Sequence, residues 1–104
     1  MNRGAIYDAE AGARRGPVVV LTRDRAIPLL ANITVAAITT RIRGLATEVP
    51  VDEQHGLTRD SVINCDNLFT IPKSTLGRRR GSLDPESSAR LRTALILALG
   101  LDEP

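Results

Sequence analysis

Arg14-Arg15-Gly16-Pro17-Val18-Val19-Val20-Leu21, followed about twenty residues later by Val35-Ala36-Ala37-Ile38-Thr39-Thr40-Arg41, decides the fold of this 104-residue chain. Runs of valine and isoleucine suit a pleated, buried surface, so each segment reads as a strand. Val18 to Thr22 is apolar on both faces, which predicts a central strand, and Ile33 to Thr39 predicts another. Each has an unusual polar group at one end. An arginine at the entrance of one packed strand and a threonine at the exit of its neighbour would be held in fixed positions, which anionic chemistry requires. The pair predicts a phosphate site.

Outward from this centre, Ala5 to Ala9 predicts a first strand, and Glu10 to Gly16 a loop ending in two arginines. Beyond Arg23-Asp24-Arg25 and the break at Pro28, Leu45 to Val51 predicts an edge strand between turns at Gly44 and Gly56. Ser61 to Cys65 and Leu68 to Ile71 read as two strands separated by Asp66-Asn67. Pro72 to Gly77 predicts a single helical turn, and Arg78 to Leu83 a return strand. Asp84-Pro85-Glu86 is a helix start, because Asp can cap free amides, proline fits the first turn and Glu86 suits the positive dipole end. The helix is predicted to run to about Leu99, with Leu91, Ala94, Leu95, Ala98 and Leu99 as its apolar stripe and Gly100 as its terminator.

One domain over residues 1–104 accommodates all of this, since a chain of this length supports a modest core. The hydrophobic fraction of 42% and charged fraction of 25% are those of an ordinary folded protein. Tyr7 and Phe69 are the only aromatic residues, so a bound nucleic acid would be gripped by hydrogen bonds and charge rather than by stacking. The net charge of +2 is uneven: residues 1–50 carry seven arginines against four carboxylates, and residues 51–104 seven basic against eight acidic groups. All basic residues but Lys73 are arginine, which favours forked contacts to phosphate. A G- and C-rich genome supplies the same bias. Cys65 and His55 are the only residues of their types, which excludes an intrachain disulfide and a Cys/His zinc cluster. Cys65 reads as a packed side chain and His55 as a solvated loop residue. Residues 1–15 lack the apolar core of a signal peptide and no run of 18 apolar residues occurs, so a cytoplasmic protein without a membrane segment is expected.

The chain resembles the MazF/PemK family of toxin endoribonucleases. The resemblance lies in the order of several pieces: Arg3-Gly4-Ala5-Ile6-Tyr7, Arg14 to Asp24, Val35-Ala36-Ala37-Ile38-Thr39, Asp60-Ser61-Val62-Ile63, Asp66 to Ile71, Leu76-Gly77 and the helix to Leu101. It implies a mostly β (α+β) fold, a strongly curved SH3-like barrel sheet with short helices and a C-terminal helix, assembled as a homodimer. It further implies cleavage of single-stranded RNA at short sequences without a metal or other cofactor, by attack of the ribose 2′-hydroxyl on its own phosphorus. A cognate antitoxin would block that activity. The alternative is a non-enzymatic toxin of the same fold that binds a protein target such as DNA gyrase, as the related CcdB toxins do.

By position in the family's pattern, the catalytic pair would be Arg15 and Thr39. One departure bears on this: Gly16 stands between Arg15 and Pro17, where relatives set arginine directly against proline. Either a bulge lets Arg15 reach the site, the reading preferred from sequence, or Arg14 fills the role. Glu10 is a possible base or orienting group, with a surface carboxylate of no catalytic role as the alternative. RNA contacts are expected from Thr22 and Arg23 after the central strand, from Arg41 and Arg43, and from Asp66-Asn67, where an Asn side chain can read a base edge. Arg78-Arg79-Arg80 reads as a solvated run outside the site.

Overall fold

The computed structural model describes residues 1–104. Six strands form one antiparallel sheet: β1 (Ala5–Ala11), β2 (Arg14–Val20), β3 (Asn32–Thr39), β4 (Glu48–Val51), β5 (Ser61–Pro72) and β6 (Leu76–Ser82), in the spatial order β4-β5-β3-β2-β1-β6. Helix α1 (Pro85–Leu99) follows, and short 3-10 turns occupy Ile27–Leu29, Glu53–His55 and Lys73–Thr75. The strand-rich, curled sheet with one closing helix is the architecture expected from the sequence.

Period-2 alternation explains how both faces of β2 are buried. Val19 joins Ile6, Ala36, Ile38 and Ile63 in a core covered by Leu91 and Leu95 of α1. Val18 and Val20 face the other way, into a second cluster with Ile27, Ile33, Val35 and Ile71. No helix is long and apolar enough to cross a membrane.

Five local expectations are corrected. The stretch Glu10 to Gly16 is no loop: β1 and β2 run to Ala11 and Arg14, joined through Gly12-Ala13. The segments on either side of Asp66-Asn67 are one strand, because pairing with β3 jumps from Ala37↔Asn64 to Ala36↔Leu68 and absorbs residues 65–67 as a wide bulge. The edge strand β4 begins only at Glu48, since the amides of residues 43–45 bond to a side chain instead of a neighbouring strand. Leu99, expected in the buried stripe, is 54% exposed, whereas Leu91, Ala94 and Leu95 are buried.

His55 is the fifth. It is 7% exposed rather than solvated. The Asp52 N–H donates to its Nδ1 at 3.1 Å, which assigns the proton to Nε2, 2.9 Å from Asp84 Oδ1 and 3.1 Å from Ser87 Oγ. Asp84 thus secures the turn before α1 to the one after β4, and its side chain makes no cap bond to the helix amides. Hydrogen bonds from Ser87 and His55 hold the Asp84 carboxyl down to about 2, below the ordinary 3.8. This carboxylate therefore favours the fold above about pH 4 and ceases to as pH falls through 2. His55→Ala removes the shared partner of three polar groups and leaves a cavity. It is expected to cost about 2–4 kcal/mol and to lower the melting temperature by about 10 °C or more, read by thermal denaturation. A melting point unchanged within error would show that the three groups need no bridge.

Candidate active site

Strand parity decides which arginine meets Thr39. In the β2–β3 ladder Val18 lies opposite Ala37 and Val20 opposite Val35, so Arg14 and Gly16 share their sheet face with Ala37 and Thr39. Arg15 points to the other face. There it stands directly across from Glu10 of β1 and forms an ion pair with it, the Arg15 side chain 82% exposed. The Glu10 carboxylate raises the Arg15 guanidinium above its already high ordinary value. The arginine preferred from sequence is thus separated from Thr39 within one subunit.

Arg14 is the half-buried one, and it lines a cleft of about 170 Å³ together with Thr39, Arg41, Arg43, Asn64 and Asn67. Glu48 contributes the single carboxylate of the lining. The Arg14 Nη2–H donates to the Ile38 carbonyl, which fixes the guanidinium, while its Nε–H is buried with no hydrogen-bond partner in the protein. A buried donor left without a partner is costly, and such groups call for an explanation such as a ligand that completes them. Gly16 lies alongside the guanidinium: a Cβ at this position would sit 3.4 Å from Arg14 Nη2, in ordinary van der Waals contact.

Thr39 offers a complementary donor. Its Oγ1 accepts the Arg41 N–H at 3.1 Å, so its hydroxyl proton is free to donate into the cleft. Three arginines around one carboxylate make the cleft cationic, which suits a phosphodiester. Its polar amides, Asn64 and Asn67, lie at the ends of the β5 bulge.

The remaining expected residues divide in two. Asp66 sits at the cleft margin, where Thr47 Oγ1 donates to its Oδ2 at 2.6 Å, and its N–H bonds Asn64 Oδ1 at 3.0 Å. Thr22 and Arg23 lie past the far end of β2 beside an apolar groove with Leu21, Leu30 and Leu99, about 25 Å of strand from Arg14 at 3.3 Å per residue. They are not part of this cleft. Arg80 is no solvated residue: it pairs with Asp8 at 3.0 Å, while Arg78 and Arg79 are exposed. Burial pushes the Cys65 thiol up to about 11, consistent with a packed, unreactive side chain. Sequence reading missed Asn64 and Glu48. Parity was the usable signal for Arg14, since position 16, next to Pro17, shares a strand face with 14 and not with 15.

The sequence pattern of the PemK-like, MazF-like toxin of type II toxin-antitoxin system matches residues 2–99. Endoribonuclease MazF3 of Mycobacterium tuberculosis strain H37Rv is 51% identical over 86 residues, covering 83% of this chain and 84% of the relative. Among solved structures, the Mycobacterium tuberculosis toxin MazF-mt6 superimposes with a TM-score of 0.87 at 46% identity, over 92% of this chain and 96% of that one. An endoribonuclease from a mycobacterial species, solved in complex with its cognate antitoxin, superimposes with a TM-score of 0.89 at 29% identity, over 100% and 99% of the two chains. With a pattern that spans nearly its whole length and a relative at this identity, the chain belongs to the PemK-like, MazF-like toxins of type II toxin-antitoxin systems.

Proposed function

We propose that the chain is a sequence-specific, metal-independent endoribonuclease toxin that cleaves single-stranded RNA and is inhibited by a cognate antitoxin. The relatives named endoribonuclease support the activity, and the antitoxin complex of the mycobacterial relative supports the partner. The observation that carries the reading is the cleft shared by Arg14, with its unpartnered Nε–H, and the Thr39 hydroxyl.

The reaction asks little covalent chemistry of the protein. The ribose 2′-oxygen forms a bond to the adjacent phosphorus, the bond from phosphorus to the 5′-oxygen breaks, the 2′ proton passes to a base and a proton ends on the 5′-oxygen. Negative charge gathers on the non-bridging oxygens in between. Arg14 meets that charge with fixed donors, and Thr39 donates to the same oxygens. Arginine stays protonated, so its role is charge stabilisation rather than proton transfer. Arg41 and Arg43 hold flanking phosphates, and the amides of Asn64 and Asn67 read base edges beside them. Glu10 pairs with Arg15 on the other face and has no part in this cleft.

A homodimer is proposed on the exposed apolar residues Leu30 and Leu99, which line the groove at the far end of β2. Sedimentation at the monomer mass across micromolar concentrations would refute it. The antitoxin fits as an acidic partner whose segment folds into the cationic cleft.

Incubating the purified protein with mixed-sequence single-stranded RNA in EDTA tests the activity. Fragments with 2′,3′-cyclic phosphate and 5′-hydroxyl ends, cut at a recurrent short sequence, are the expected products. Intact RNA overturns the reading, and inhibition of a gyrase supercoiling assay would then favour the non-enzymatic alternative.

A further inference from the structure

The connection between β3 and β4, residues 40–47, brings Arg41 and Arg43 to the cleft without any strand ladder of its own. One side chain organises it. The backbone N–H groups of Arg43, Gly44 and Leu45 converge on Oε1 of Glu48 at 3.1, 2.9 and 3.2 Å. Gly44 has φ +73, a left-handed conformation that turns successive amides toward one point and that a bulkier residue rarely adopts. Glu48 opens β4 and pairs with Asn64 across the sheet, so the point of convergence is set by the sheet itself. The far end of the loop is anchored to the same β5 bulge, through Thr47 Oγ1 to Asp66 and the Cys65 N–H to the Thr47 carbonyl at 3.1 Å.

A carboxylate in a cleft for phosphate is otherwise unfavourable. Here its charge is engaged by three amides, and charge-assisted bonds of this kind are about twice as strong as neutral ones. We infer that Glu48 is the positioning residue for RNA binding: it fixes the loop backbone so that Arg41 and Arg43 face the phosphates flanking the cut, and it touches no reacting atom. The inference rests on RNA occupying the Arg14–Thr39 cleft.

Three readouts on the full chain test it: affinity for a single-stranded oligonucleotide with 2′-deoxyribose at the cut position, kcat and KM on its all-ribose counterpart, and the rate of tryptic cleavage after Arg41 and Arg43. Glu48→Ala is expected to weaken binding of the deoxy probe about tenfold and to raise KM by a similar factor with kcat within about threefold, the pattern of lost uniform binding. Trypsin should cut the loop faster. Glu48→Gln, which keeps a weaker acceptor, should lose about threefold in affinity. Adding Arg43→Ala to Glu48→Ala should cost little more, because the two changes remove one interaction. Deoxy-probe affinity within twofold of wild type, full additivity with Arg43→Ala, or a fall in kcat at constant KM would each overturn the role. Should Glu48→Ala fail to fold, an unchanged affinity in Glu48→Gln overturns it instead. Wild-type protein that binds no oligonucleotide refutes the RNA reading of the cleft, whereas an unchanged tryptic rate in folded Glu48→Ala refutes Glu48 alone.

Discussion

Arg14→Ala is expected to lower the RNA-cleavage rate by about 10²–10³-fold, the usual loss when one preorganised donor to a developing oxyanion is removed. The fold should survive. The substitution deletes one bond to the Ile38 carbonyl but also removes a buried donor that lacks a partner, so the melting temperature should stay within about 5 °C. Arg14→Lys keeps the charge and loses the fork, and should recover only part of the rate. Arg15→Ala is the control. Its side chain is exposed and paired with Glu10 on the opposite face, so cleavage should remain within about threefold of wild type. The opposite outcome, activity lost with Arg15 and kept without Arg14, would mean that the arginine acts from the other sheet face or across a subunit boundary. Single-turnover cleavage of one defined oligonucleotide separates these results.

The second large effect concerns stability. Gly56→Ala is expected to destabilise by at least about 3 kcal/mol and to lower the melting temperature by about 15 °C or more. Gly56 has φ +91, and a Cβ there would lie 1.9 Å from the Arg80 carbonyl oxygen. Gly81 is its counterpart, with a Cβ position 2.2 Å from the His55 carbonyl oxygen. The turn after β4, at one edge of the sheet, thus presses backbone to backbone on β6, at the other edge. Two glycines let the curl close. Small domains have only about 5–15 kcal/mol to lose, so a forced opening of this seam threatens the fold as a whole. Gly81→Ala should act on the same contact, and the double variant should cost less than the two singles combined. Gly16→Ala, on a different strand, should leave the melting temperature within about 5 °C. Calorimetry reads all four proteins. A melting point for Gly56→Ala within a few degrees of wild type would show that the edges need not touch.

Much of the strand plan was legible in the chain. The valine run of β2, the β3 run ending at Thr39, the turn at Lys73–Thr75 and the helix from Pro85 to Leu99 all follow from local propensity, with Pro85 opening the helix and Gly100 ending it. Less legible was anything that depended on a partner strand. The bulge at residues 65–67 reads as a break between two strands, because Asp66-Asn67 has turn chemistry and the neighbour that pairs on both sides of it is about thirty residues away. His55 looked solvated because its partners, Asp84 and Ser87, lie 29 and 32 residues on.

The site shows the same division. That an arginine near Pro17 and a threonine ending β3 should meet a phosphate was readable from residue type and family resemblance. Choosing between Arg14 and Arg15 required the register of β2 against β3, since alternate residues of a strand point to opposite faces and a bulge at Gly16 could have inverted them. The composition and order of residues thus determined the strands, the closing helix and the cationic character of one half of the chain. Tertiary structure alone decided which guanidinium lies beside Thr39, that Glu48 gathers the loop amides and that two glycines join the sheet edges, because each depends on atoms that only long-range pairing brings together.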